Sequence, residues 1–305
     1  MKILVFTEKP FAPAAVKAIA NVINASGNEM ELVERGTRAD LLEAVKNAEG
    51  LIVRSDVIDA AVMDAAPKLK VIVRAGAGYD NIDLAAATAH KICVMNTPGQ
   101  NSNAVAELVF GMIVMMCRNQ YNGTSGSELK DKSLGIYAFG QVGRNVARIA
   151  KGFNMKLQAL DVFVSDAVME AEGVTPVHDV NELFANNDFV SLHIPATPQT
   201  KNSIGYDLVV KMPKNGVLVN TARKEVIDEE GLIKALQERP DLRYVSDIRP
   251  GKAEEFEKLF GSRVFFTPKK MGAQTAEANF NAGVAAAEQV IAYLKDGWNK
   301  FQVNK

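Results

Sequence analysis

SLGIYAFGQVGRNVARIA, residues 133–150, decides the fold. It reads as an apolar strand, a tight turn and a helix, in the order a dinucleotide site requires. In the fingerprint G-x-G-x-x-G the glycines close the turn, admit a pyrophosphate to the backbone, and let helix and strand pack tightly. Here the pattern runs Ala138-x-Gly140-x-x-Gly143, so the first glycine is replaced by alanine. Alanine fits many turn geometries as long as its φ stays negative, and the position of closest approach, Gly140, keeps its glycine. The context strengthens this degraded pattern. Asp161 closes the next apolar run, LQALD, where a carboxylate accepts hydrogen bonds from an adenosine ribose. Such a carboxylate repels a 2′-phosphate, and Val162 and Phe163 bring no arginine to reverse that preference. The expected cofactor is therefore NAD rather than NADP. The plainer role for Asp161 is a cap or turn residue.

Outward from this stretch, short apolar runs alternate with helix-period segments. KILVFT (2–7), GLIVRS (50–55), KVIVRAG (70–76) and KICVMN (91–96) are separated by helical stretches at 14–25, 58–66 and 84–90. A second series runs from SLGIYAFG (133–140) through LQALDVF (157–163), DFVSLHIP (188–195), GVLVNTA (216–222) and YVSDI (244–248) to RVFFTP (263–268). Strands apolar on both faces and separated by helices imply parallel sheets covered on both sides. A buried connector helix, 101–117, joins the series, and a C-terminal helix, about 276–295, returns to the first. The expected class is α/β with two doubly wound parallel-sheet lobes. A cofactor-binding Rossmann lobe, 97–275, is inserted into a discontinuous flavodoxin-like substrate lobe, 1–96 and 276–305. The polar stretch 119–132 reads as a loop.

Composition excludes several classes. The 305 residues are 48% hydrophobic and 23% charged, with a formal net charge of -1, so a nucleic acid or membrane surface is not expected as a partner. Cys93 and Cys117 form no Cys/His spacing, which argues against a metal site or disulfide framework and fits a reducing cytoplasm. The N-terminal apolar run is too short for a signal peptide, and the run at 108–117 stops at Arg118, short of a membrane span.

Seven stretches, in order and at close to family spacing, resemble the D-2-hydroxyacid dehydrogenases and in particular their 3-phosphoglycerate dehydrogenase branch. They are LIVRS (51–55), VRAGAGYDNIDL (73–84), VMNTPGQNSNAVAEL (94–108), LGIYAFGQVGRNVA (134–147), HIPATPQT (193–200), VNTARKEVIDEEGL (219–232) and TPKKMGAQTAEA (267–278). The resemblance implies an NAD lobe inserted between the two ends of a substrate lobe, an active-site cleft at the hinge, and a homodimer through the NAD-binding lobe. It gives Arg223 the orientation of the substrate carboxylate and carbonyl and places Asp247 at the nicotinamide end. Gln141 and Val142, with Gly140 and Gly143, would meet the pyrophosphate. Ile194 and Pro195 would border the adenosine, Thr221 and Ala222 would lie beside the nicotinamide, and Ala77 stands where relatives often carry a hydroxyl near the cofactor. Substrate contacts would come from Arg54, Ser55, Arg74, Gly76 and Asn101, although Asn101-Ser102-Asn103 also suits a helix cap.

The residues alone support part of that assignment. A guanidinium stays charged and grips a carboxylate with two parallel bonds, which suits Arg223 at a strand's carboxyl end. Lys9, Arg54 and Arg74 each follow a first-lobe strand, so their charges converge on one sheet edge, as a doubly charged phosphate needs and lactate or glyoxylate does not. The implied activity is NAD-dependent oxidation of 3-phospho-D-glycerate to 3-phosphohydroxypyruvate, the first step of serine biosynthesis. The alternatives are a hydroxypyruvate or glyoxylate reductase and a non-catalytic NADH-sensing corepressor. Longer members carry a regulatory domain beyond 305 residues, so serine inhibition through one is not expected.

The acid/base group departs from the family. Relatives use a histidine after Thr-Pro with a glutamate partner; here those positions hold Lys269 and Lys252. His90, His178 and His193 lie in other motifs. A cation beside a lysine in a partly desolvated cleft favours the neutral amine that a general base requires, so Lys269 becomes the expected proton acceptor. TPKKMGAQT has one residue more than the family pattern, which makes Lys270 its rival, and Glu254 or Glu255 could lend a carboxylate.

Overall fold

Strand positions in the computed structural model, which describes residues 1–304, follow the burial pattern of the chain. The first compact unit comprises 1–101 and 274–305, and the second 102–273. The division falls at 101/102 and 273/274 because 97–101 still forms a turn leading out of a strand and the next helix begins only at Ser102.

In the first unit, β1 (Lys2–Thr7), β2 (Glu29–Glu34), β3 (Gly50–Val53), β4 (Val71–Arg74) and β5 (Cys93–Asn96) form a parallel sheet ordered β2-β1-β3-β4-β5. This is the flavodoxin-like order, with its switch point between β1 and β3. All four residues of β3 are buried, as a central strand covered on both faces requires. Strand β2, EMELVE, escapes a reading based on apolar runs because it is an edge strand whose residues are half-buried or exposed. The helices Pro13–Ala25 and Ala276–Asp296 pack on the same face, with Ile19, Ile23, Ala282, Ala286 and Val290 in the core beneath them.

In the second unit, β6 (Ser133–Tyr137), β7 (Lys156–Leu160), β8 (Thr175–Pro176), β9 (Phe189–Leu192), β10 (Val217–Asn220), β11 (Arg243–Ser246) and β12 (Val264–Phe266) also run parallel. Their order is β12-β11-β10-β9-β6-β7-β8, the Rossmann order extended by one strand, with the switch between β6 and β9. The two-residue β8 is too short to leave a periodic signal. The connector helix, Ser102–Cys117, is apolar nearly all round and lies largely buried in the core of this unit.

Candidate functional site

Each unit presents its candidate residues at the carboxyl edge of its own sheet, on or beside the switch point where diverging loops leave a crevice. In the first unit the loops after β1, β3 and β4 meet. Arg54 is half-buried, and its Nη1 donates to the carbonyls of Lys9 and Pro10, both at 2.9 Å. Its Nη2 donates to Asn279 Oδ1 at 2.5 Å, and the guanidinium lies 5.1 Å from the centre of the Phe11 ring. Burial lowers the Arg54 pKa, while the Asp56 carboxylate opposes that shift. Arg74 Nε donates to the Arg54 carbonyl at 2.9 Å, so the two arginines are tied across adjacent strands. Gly76 has φ +149°, and a Cβ there would collide with the Arg74 guanidinium, so this position requires glycine. Ser55 is exposed beside them, and Lys9 is an exposed residue that contributes its carbonyl to Arg54. Asn101 is half-buried and immediately precedes the helix Ser102–Cys117. The carbonyl of Ala77 accepts from Asn96 Nδ2 at 2.6 Å.

Sequence reasoning passed over Asp56 and Asn279. Asp56 is buried and accepts from the Glu8 amide at 2.7 Å and the Arg54 amide at 3.1 Å, stitching the β1 and β3 loops together. A short carboxylate after an Arg-Ser pair was the only signal for it.

In the second unit the cofactor turn holds a surprise. Ala138 has φ +79°, in the left-handed region rather than at a negative angle. The turn demands this because Ala138 N–H still reaches the Leu160 carbonyl at 2.8 Å while the chain reverses into the helix Gln141–Gly152. Gly143 must remain glycine, since a Cβ would strike the Ala138 carbonyl. At Gly140 a Cβ would meet nothing within 4 Å. That open space lies at a helix N-terminus with no side-chain cap and no acidic residue in its first turn. Gln141 and Val142 open this helix, so the amides of its first turn suit a pyrophosphate.

Asp161 follows β7 as expected, but three backbone amides already hold its carboxylate. Phe139 N–H bonds one oxygen at 2.7 Å, and the amides of Phe163 and Val164 bond the other at 2.7 and 3.1 Å. A carboxylate offers about four acceptor sites, which leaves room for a ribose hydroxyl. Ile194 is buried and Pro195 exposed, just after β9.

Arg223 follows β10 on a turn fixed by Asn220. This fully buried amide accepts from Ala222 N–H at 2.9 Å and donates to the Arg223 carbonyl at 3.0 Å. Arg223 Nη1 also reaches the Ala222 carbonyl at 2.9 Å. Thr221 is buried, with its hydroxyl 3.3 Å from His193 Nδ1, while His193 Nε2 lies 2.9 Å from Ser191 Oγ. Burial pushes the His193 pKa down to about 3, so its imidazole is neutral at working pH. His90 and His178 pair with Asp64 and Asp166 at the surface.

Asp247 acts on its own loop. Its buried carboxylate accepts from Thr267 Oγ1 at 3.0 Å and from the amides of Met271 and Gly272, both at 2.7 Å. The loop is pinned on both sides of Pro268, Lys269 and Lys270. Both lysines are exposed, contrary to the partly desolvated setting expected of them. Lys252 occupies the N-cap position of the helix Ala253–Phe260 and pairs with Glu230 and, at 3.7 Å, with Glu255, so its charge is engaged locally. The Glu230 hydrogen bond raises its pKa further. Glu254 is exposed in the first turn of that helix.

Among the described residues, no group of three or more His, Cys, Asp or Glu is arranged to hold a metal, and no helix is long and apolar enough to cross a membrane. Residues 105–268 match the family described as D-isomer specific 2-hydroxyacid dehydrogenase, NAD binding domain. The chain is 37% identical over 317 residues to a D-3-phosphoglycerate dehydrogenase of Methanocaldococcus jannaschii, covering 97% of this chain and 58% of that protein. It is 33% identical over 285 residues to a hydroxypyruvate reductase of Thermotoga maritima, covering 87% and 92%. An NAD+-bound 3-phosphoglycerate dehydrogenase structure from Entamoeba histolytica is similar with a TM-score of 0.89 and 48% identity, covering 100% of this chain and 99% of that one. The chain thus spans about half the length of the first curated relatives it matches.

Proposed function

Because the chain belongs to the D-2-hydroxyacid dehydrogenase family and carries its NAD-binding domain, we propose that it oxidises 3-phospho-D-glycerate to 3-phosphohydroxypyruvate, the first step of serine biosynthesis. The observation that carries this choice of substrate is the pair Arg54 and Arg74, half-buried at the ends of adjacent strands and tied at 2.9 Å. Both side chains carry a positive charge at the same sheet edge, and a phosphate dianion matches that pair of charges. Arg54, Ser55, Arg74, Gly76 and Asn101 take the phosphate end. Arg223 grips the carboxylate and polarises the reacting carbon. When bound, NAD supplies the hydride acceptor. The amides of 141–143 hold its pyrophosphate, Asp161 its ribose, Ile194 and Pro195 its adenosine side, and Ala77, Thr221, Ala222 and Asp247 its nicotinamide side.

A lysine takes the hydroxyl proton, and Lys269 and Lys270, on the loop held by Asp247, are the two choices. Lys269 makes no hydrogen bond or ion pair with any described residue, which favours it. Lys269→Met then lowers kcat by on the order of a hundredfold or more, the usual worth of a general base, while Lys270→Met loses far less. Equal activity in both variants removes lysine from the mechanism.

The test of substrate is NAD reduction with 3-phosphoglycerate, D-glycerate and D-lactate in parallel. Preference for the phosphorylated acid is the expected result, and NAD binding without turnover of any of the three overturns the proposal. The Thermotoga maritima relative favours a second reading, hydroxypyruvate reduction, which the reverse assay with NADH checks. The same proposal includes a cytoplasmic homodimer joined through the NAD-binding lobe, tested by analytical ultracentrifugation of the full chain.

A further inference from the structure

We infer that Asn279 is the residue that prepares Arg54 for a phosphate, and that it does so by holding the guanidinium without neutralising it; this rests on the proposed phosphate reading. Arg54 comes from the loop after β3 and Asn279 from the first turn of the helix Ala276–Asp296, 225 positions apart in sequence. The contact joins the two separate segments of the first unit.

The geometry explains why an amide serves here. Asn279 Nδ2 donates to the Thr275 carbonyl at 2.7 Å, and the Asn279 amide N–H donates to the same carbonyl at 3.1 Å. Thr275 in turn caps the helix by accepting from Ala278 N–H at 3.1 Å. With Nδ2 committed to a carbonyl, Oδ1 is the end that faces Arg54, so the amide cannot turn over without losing both bonds. Three neutral oxygens, from Lys9, Pro10 and Asn279, therefore take donors of the guanidinium, and the Phe11 face packs beside it at 5.1 Å.

Among the described residues, no carboxylate hydrogen-bonds the Arg54 side chain; the nearby Asp56 carboxylate is occupied by the amides of Glu8 and Arg54. A guanidinium has five N–H donors, so two remain for a ligand. The result is a half-buried cation, fixed in orientation and still carrying its charge. A carboxylate in place of Asn279 would keep an oxygen on Arg54 while losing the bond to the Thr275 carbonyl, and it would spend that charge.

That difference supplies the test. Steady-state constants are measured for wild type, Asn279→Ala and Asn279→Asp with 3-phosphoglycerate and with unphosphorylated D-glycerate, and Arg54→Ala is run beside them. Asn279→Ala is expected to raise KM for the phosphorylated acid on the order of tenfold, about 1.4 kcal/mol, with kcat and the glycerate constants little changed. Asn279→Asp is expected to raise it further while leaving the thermal midpoint at or above that of Asn279→Ala. If Asn279 is merely structural, aspartate restores wild-type KM by keeping the Arg54 bond, and the inference fails. If Arg54→Ala loses selectivity for phosphate and both Asn279 variants keep it, the inference fails while the phosphate reading stands. If Arg54→Ala does not alter that selectivity, the phosphate reading itself falls.

Discussion

Ala138 offers a test in which the sign of the effect decides. At φ +79° an L-residue with a Cβ carries roughly 1–2 kcal/mol of strain. Glycine removes that strain. Two losses oppose the gain: glycine's extra freedom in the unfolded chain, about 0.4–1 kcal/mol, and a half-buried methyl, about 0.4 kcal/mol at half the usual worth of a buried methylene. Ala138→Gly should therefore stabilise the second unit by about 0.5 kcal/mol. With φ negative the strain would vanish, and the same change would cost about 1 kcal/mol. Ala138→Val provides the opposite arm, because a β-branched residue is an outlier at positive φ and should lose more than 2 kcal/mol. Urea unfolding followed by far-UV circular dichroism gives the ranking. The order Gly, Ala, Val from most to least stable is expected, and a clear loss of stability in Ala138→Gly refutes the reasoning.

Further outcomes follow from buried polar groups. Asn220→Ala strands the Ala222 N–H and the Arg223 carbonyl, so it should cost about 2–4 kcal/mol in urea unfolding and lower kcat/KM by loosening the Arg223 turn; Asn220→Asp, which keeps the acceptor, should recover part of both. Asn304 accepts from Val94 N–H at 2.8 Å and donates to the Ile92 carbonyl at 2.8 Å and Thr88 Oγ1 at 3.1 Å, so Asn304→Ala should lower stability by about 2–3 kcal/mol, read by thermal unfolding. His193 is held neutral down to about pH 3, whereas the unfolded chain protonates it near 6.5, so its contribution is intact above 6.5 and lost as pH falls. Between pH 6.5 and 5 that loss reaches roughly 2 kcal/mol at most, and His193→Gln should flatten this part of the pH–stability curve.

The central strands were legible because burial on both faces forces continuous apolar runs, as at β3, β9 and β10. Strand β2 was not, because a half-exposed edge places no such demand on sequence. The candidate site divides in the same way. Arg54, Arg74, Arg223 and Asp161 announce themselves by lying just after strands, since strand direction fixes which end of the sheet they reach. Their supports do not, because a partner such as Asn279 is brought near by the return of a distant helix and no local spacing records it. The exposure of Lys269 and Lys270 was equally hidden. It depends on a carboxylate, Asp247, that pins the loop on both sides of the pair.

The way charge is held separates candidate residues from ordinary ones. On the surface, charges meet opposite charges, as in Arg38 with Asp59 and Lys46 with Glu43, both at 2.5 Å, and each largely cancels the field of its partner. At the sheet edges, Arg54, Asp161 and Asp247 have neutral hydrogen-bond partners. Arg54 is held by two carbonyls and an amide oxygen, Asp161 by three backbone amides, and Asp247 by two amides and a hydroxyl. A neutral dipole fixes the direction of a charged group while leaving its net charge to act on whatever enters. Backbone dipoles suit this purpose because the fold positions them and no titration removes them. Lys252 obeys the surface rule: engaged by Glu230 and Glu255, it has no charge to spare for the loop that carries Lys269 and Lys270. On the proposed mechanism, Lys252 therefore lends neither a carboxylate nor a free charge to the loop lysine.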